Sequence, residues 1–110
     1  MKYIITESRL DKLVQTFITN YVGPLKRNIH PDFGDSYIWY TTSYDLTVFE
    51  ISSSNSGEGV VALGVLESMW DLVKGMFLLS SLETDNAFAT WAANNEGMET
   101  PDEIYTFEND

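Results

Sequence analysis

Cysteine is absent from this chain of 110 residues, which excludes disulfides, thiolate metal sites, iron–sulfur clusters and thiol nucleophiles and fits a reducing compartment. Histidine occurs once, as His30, so the chain holds no two-histidine metal motif. Long apolar runs are missing too. The uninterrupted ones are a few residues long, far short of the roughly 20 that span a bilayer, and no basic-then-apolar leader pattern opens the chain. These absences lead to the expectation of a soluble, cytoplasmic protein without a membrane segment.

The scarcest class is positive charge. Six Lys and Arg stand against 17 Asp and Glu, a net charge of −11, and the imbalance is uneven. Residues 1 to 27 hold Lys2, Arg9, Lys12, Lys26 and Arg27 against Glu7 and Asp11, a net of +3, whereas the remainder holds Lys74 alone against fifteen acids, a net of −14. Such a field repels nucleic-acid phosphates over most of the surface and favours basic partners, or a second copy that docks its basic end on the acidic one. The same acidity also keeps a small aromatic-rich protein in solution.

What is present is enough for a core. A hydrophobic fraction of 44% with 6 Phe, 6 Tyr and 3 Trp is too rich for a disordered acidic tail. No repeat or long linker divides the chain, so 1–110 is read as a single domain.

Leu10, Leu13, Val14, Phe17, Ile18 and Tyr21 recur at the spacing of one helical stripe, with Thr6 placed as N-cap, Ile5 as a staple onto Leu10, and Gly23–Pro24 as the stop. The period then changes. Residues 36–42 (SYIWYTT), 46–52 (LTVFEIS) and 60–65 (VVALGV) are β-branched, aromatic or apolar runs separated by turn chemistry, and they predict a three-stranded antiparallel meander. Both faces of its first two strands carry bulk, so both call for cover, from helices or from a partner.

From Leu66 the helical period returns through Met69, Trp70, Val73, Met76 and Phe77. A second helix follows with Thr84, Ala87, Phe88 and Trp91 on one face, Ser80 and Glu83 at capping-box spacing, and Gly97 as the stop. Residues 103–108 (EIYTFE) read as a last strand. The predicted fold is therefore α+β: an N-terminal helix, the meander, an αα-hairpin and a C-terminal strand.

Two helices joined by a short turn invite a helix-turn-helix reading, which charge opposes. A groove-reading helix needs cationic neighbours for phosphates, and this one offers Glu83, Asp85 and Glu96, with Asn86, Asn94 and Asn95 as its candidate readers. The stripes instead predict a hairpin packed on the sheet, with Trp91 inside and Glu83, Asp85 and Glu96 out in water.

Catalytic motifs are equally thin. Asp32-Phe33-Gly34 spells a kinase triplet without the loops or lobes that give it meaning. His30, between Asn28 and Asp32, reads as a solvated or locally hydrogen-bonded imidazole in a Pro-containing loop. Were the protein a hydrolase, its acids would be drawn from Asp32, Asp35, Asp45 or Glu50, near the predicted strand ends. The acids at 96, 99, 102 and 103 lack the order of an EF-hand loop. No catalytic residue, cofactor or metal ligand is assigned, and the expectation is a protein that is not an enzyme.

The opening KYIITES, the WDLVKGMF run from Trp70, Glu83-Thr84, the Phe88 to Trp91 spacing and the closing PDEIYTF together resemble short uncharacterised proteins of tailed phages and marine bacterial metagenomes. That resemblance covers about a third of the chain and rests on structural signals. It implies a context, a viral accessory protein in a host cytoplasm or built into a particle, and no functional residue.

The resulting expectation is a non-catalytic acidic module that docks on a protein with a basic surface through Glu83, Asp85, Glu96, Glu99, Asp102 and Glu103. One alternative is a nucleic-acid mimic that occupies the DNA or RNA site of a host defence protein. Another is a self-associating component of a particle. Neither direct nucleic-acid binding nor membrane binding is expected.

Overall fold

The computed structural model describes residues 7–32, 34–53, 61–97 and 101–108. Its elements run α1 (Glu7–Val22), β1 (Lys26–His30), β2 (Gly34–Thr41), β3 (Thr47–Ser53), β4 (Val61–Leu66), α2 (Glu67–Phe77), α3 (Ser81–Glu96) and β5 (Glu103–Phe107). The α+β order expected from the sequence is present with one strand more. Thr6 and Ile5, the expected cap and staple of α1, lie outside the described residues, as does most of the turn expected over Ser52 to Gly59, whose first two residues instead continue β3 opposite Ala62 and Val61.

The additional strand is β1, where the sequence suggests a loop around His30. Its residues, KRNIH, carry no apolar alternation. Strand character comes from pairing with β2, from Lys26 opposite Thr41 through Ile29 opposite Ile38. The Asn28 amide ties the strand sideways by donating to the Trp39 carbonyl and to Thr41 Oγ1, at 3.3 and 3.2 Å. As an edge strand it is protected by the charges of Lys26 and Arg27, which discourage pairing with another chain.

β1 to β4 form a four-stranded antiparallel meander in sequence order, and β5 joins the far side parallel to β4. A parallel neighbour needs a crossover of a dozen or more residues, and α2 with α3 supplies it. Asp102 clamps the start of that pairing: its amide donates to the Val61 carbonyl at 2.8 Å and its Oδ2 accepts from the Val61 amide at 2.9 Å.

All three helices lie on one face of the sheet. Phe49 of β3 stacks on Trp91 of α3, with ring centroids 5.2 Å apart and planes 14° from parallel, and meets Phe88 edge-on. Trp91 Nε1 donates to Thr19 Oγ1 of α1 at 2.9 Å, and Gln15 Nε2 reaches the Ala87 carbonyl. Trp70 Nε1 of α2 donates to Asp85 Oδ1 of α3, also at 2.9 Å.

Ile38, Tyr40, Phe49, Leu63 and Val65 face this layer and form the core with Val14, Ile18, Val22, Met69, Val73, Phe88 and Trp91. The α1 stripe is narrower than its spacing suggests: Leu13 is 47% exposed and Tyr21 is also exposed, because α1 rests on the other helices along Val14, Ile18 and Val22. A register shift between Tyr40 and Thr41 makes Val48 the extra residue of β3, so Val48 and Phe49 are both buried in succession.

The αα-hairpin has the expected punctuation. Ser80 Oγ accepts from the Glu83 amide while the Glu83 carboxylate accepts from the Ser80 amide, a complete capping box, and Gly97 closes α3 in the left-handed region at φ 66°. Both helices bury an apolar face against the sheet side, as a packing hairpin does.

Candidate functional site

Alternation along the strands decides what the opposite face of the sheet displays. If Phe49 points at the helices, Glu50 points away. Its direct ladder neighbours are Trp39 on β2 and Gly64 on β4, and Tyr105 of β5 lies beside Gly64. Residues from four strands thus meet at the centre of a face that none of the three helices covers.

Tyr37 donates its hydroxyl to Glu50 Oε2. Partial burial, reinforced by that hydrogen bond and by the carboxylate's charge, pushes the Tyr37 phenol up to about 12. Burial and the Glu50 charge raise the Tyr105 phenol as well, while Ser52 acts against them through a hydrogen bond. Tyr37 and Trp39 hold their rings 5.8 Å apart at 41°, and His30 meets Trp39 edge-on at 6.4 Å. The half-buried carboxylate is framed by aromatic rings and held by neutral donors.

Gly64 makes this closeness possible. A Cβ there would lie 2.7 Å from Glu50 Cγ and 2.7 and 2.8 Å from the Cζ and Cε2 atoms of Tyr105, inside van der Waals contact. The bare backbone lets the Tyr105 ring lie across β4 toward Glu50, a common reason for glycine in a strand interior.

The acids singled out in the sequence are distributed differently. Glu83 is exposed but held in the capping box, whose Ser80 amide and hydroxyl keep its carboxyl below the usual range. Asp85 is half-buried and accepts from Trp70, and Glu96 is half-buried, with its carboxyl raised by that burial. Both were expected out in water; the packing of α3 against α2 and the core draws them in. Asp102 is engaged with Val61, Glu103 is exposed on β5, and Glu99 lies outside the described residues.

Of the hydrolase set, Asp32, Asp45 and Glu50 do not converge, and the side chain of Asp35 lies outside the described residues. Asp32 precedes β2 and Asp45 follows it, so the eight-residue strand separates them by roughly 25 Å at about 3.3 Å per residue. Asp32 offers its amide to His30 Nδ1 at 3.1 Å, which makes the imidazole a local turn acceptor. Asp45 sits in the β2–β3 corner at φ 63°. Glu50, grouped with them by its nearness to a strand end, belongs instead to the centre of the sheet.

A shallow depression of about 520 Å³ lies beside the start of α2, lined by Leu46, Leu66, Glu67, Ser68, Asp71 and Glu108. A hydrogen bond with Glu108 and that residue's charge raise the Glu67 carboxyl above its usual range. Among the described residues no group of three or more His, Asp or Glu is placed to hold a metal ion, and no helix is long and apolar enough to cross a membrane.

Comparison of the chain with protein-family models, with curated proteins and with solved structures gave no match. The Glu50 cluster was concealed because its members are far apart in sequence. Two signals pointed to it: a lone acid inside the apolar run TVFEIS, and a glycine inside VALGVL.

Proposed function

We propose that the protein is a non-catalytic interaction module that docks a protein partner with a basic surface on the sheet face opposite its helices. The observation that carries this reading is the Glu50 cluster: a half-buried anion among Tyr37, Trp39 and Tyr105, on a face that the chain's own helices leave free. Aromatic residues around a central polar anchor are the composition that dominates binding energy at protein interfaces. The net charge of −11 would steer a basic partner toward it.

The likeness to short phage and metagenomic proteins supplies a setting for this activity, an accessory protein in a host cytoplasm or in a particle. Nucleic-acid mimicry is the weaker reading. It asks for rows of solvent-facing carboxylates, and Glu83, Asp85 and Asp102 are instead tied into a cap, an indole contact and a strand clamp.

The test is capture from bacterial lysate at low and high salt with the parent protein, Tyr105→Ala, and the pair Glu83→Gln plus Asp85→Asn. Docking on the sheet face requires a salt-sensitive basic partner that Tyr105→Ala loses and the α3 pair retains, with circular dichroism confirming that each variant is folded. Capture of nucleic-acid enzymes that is lost in the α3 pair and kept in Tyr105→Ala would replace this reading with mimicry.

A further inference from the structure

The docking reading leaves open what the partner presents to Glu50, and the ladder narrows it. None of the side chains next to Glu50 on the face is basic: Trp39 and Gly64 lie directly across, and Ser52 is next along the strand. Lys26 shares the face but pairs with Thr41 on the far edge strand, and Arg27 turns to the other face beside Tyr40. Lys74 of α2 lies over the Trp70 ring, 5.4 Å from its centroid. Among the described residues, the Glu50 carboxylate is met by the hydroxyls of Tyr37 and Tyr105.

An ionised carboxylate offers about four acceptor positions. Tyr37 occupies one on Oε2, and Tyr105 interacts from the opposite side. The rings of Tyr37, Trp39 and Tyr105 share the face around that carboxylate. A planar, forked, weakly hydrated cation fits that combination, because it can bond a carboxylate through two N–H groups and stack on an aromatic face together. An ammonium satisfies the charge but is more strongly hydrated and has no flat surface to stack.

A second copy of the chain fits poorly. A two-fold axis that brings two sheet centres face to face sets one Glu50 carboxylate against the other, and like charges desolvated together oppose association. We infer that the Glu50 carboxylate, flanked by Tyr37, Trp39 and Tyr105, is a seat for the guanidinium of an arginine presented by the partner protein. The inference rests on the docking reading and commits it to one anchor chemistry.

The probe is the tripeptide acetyl-Gly-Arg-Gly-amide, titrated into labelled protein and followed by amide and indole NMR signals. Counterparts carry lysine or the neutral isostere citrulline in place of arginine. Saturable shifts should centre on Tyr37, the Trp39 indole, Glu50, Gly64 and Tyr105, with lysine weaker and citrulline weaker still. Glu50→Gln keeps an acceptor for the Tyr37 hydroxyl and should retain the fold while weakening the arginine peptide by about tenfold or more, as loss of a charged hydrogen-bond partner does. Asp11→Asn on exposed α1 should leave binding unchanged.

Shifts that fail to saturate, that spread over the acidic C-terminal half, or that persist unaltered in Glu50→Gln would overturn the arginine seat. Lysate capture that Tyr105→Ala abolishes, combined with no response to the arginine peptide, would likewise overturn it while the docking reading stands. Failure of capture at every salt strikes the docking reading itself, whatever the peptide does.

Discussion

A phenol that donates to a carboxylate in a half-buried place holds its proton more tightly, and Tyr37 makes that measurable. Its folded value is about 12 against an ordinary 10.0, with burial the larger cause and Glu50 the next. Replacing Glu50 by Gln should lower the Tyr37 value but leave it above 10.0, since burial remains; phenolate absorbance during alkaline titration reads the shift. The sign for stability follows from which state binds more protons. Above pH 10.0 the unfolded chain releases the Tyr37 proton first, so the contribution is full below that pH and is lost as pH rises through about 12. Urea melts across this range should fall more steeply with pH for the parent than for Tyr37→Phe. Leu78, by contrast, is a residue at odds with its backbone. It caps α2 at φ 54° with its side chain 90% exposed, and a non-glycine residue there is disfavoured by about 1–2 kcal/mol. Leu78→Gly should therefore stabilise the protein by up to about 1 kcal/mol in chemical denaturation, the flexibility that glycine adds to the unfolded chain offsetting part of the gain.

Among the elements, α3 ties the layers together. Its Phe88 and Trp91 meet Phe49 of the sheet, and the Trp91 indole also bonds Thr19 of α1. Trp91 is 3% exposed, and truncation of such a residue costs on the order of 3–5 kcal/mol, a large share of the roughly 5–15 kcal/mol that holds a small domain folded. Trp91→Ala should accordingly unfold or strongly destabilise the whole chain in urea melts followed by circular dichroism. A parent-like melt would mean that the indole is dispensable to the core. The hairpin was legible from residue spacing, because a 3.6-residue period, a capping box and a stop glycine are local signals. Strand β1 was not. Nothing within KRNIH calls for extension, and its backbone groups find partners only after β2 is in place beside it.

At the scale of the molecule, the three helices cover one face of the sheet, and the Glu50 carboxylate lies at the centre of the other. A charge there is expected to oppose closing of the aromatic face on a copy of itself. Glu50→Leu removes it and leaves a continuous apolar centre among Tyr37, Trp39 and Tyr105, the kind of patch that drives association. Sedimentation velocity should then show a larger species for Glu50→Leu than for the parent at equal concentration. Equal masses would show that the central charge does not govern contact between copies.

The sequence by itself determined the periods, the caps and the charge. Alternation in SYIWYTT and LTVFEIS required two faces with bulk on each, the spacing from Leu66 to Gly97 required a packed helical pair, and the scarcity of bases beyond residue 27 required an acidic surface. These are properties of neighbouring residues, set by backbone geometry that repeats within a few positions. Tertiary structure alone decided which face the helices cover and which residues of distant strands share the other. Tyr37, Glu50, Gly64 and Tyr105 span most of the chain, and their meeting depends on the register of three strand pairings and on the crossover that returns β5 to the edge of β4. The same long-range pairing set Asp32 and Asp45 at opposite ends of β2, and helix packing turned Asp85 and Glu96 inward. Register and layer packing are selected by burial over the whole chain, which is why the candidate site became visible only in the folded protein.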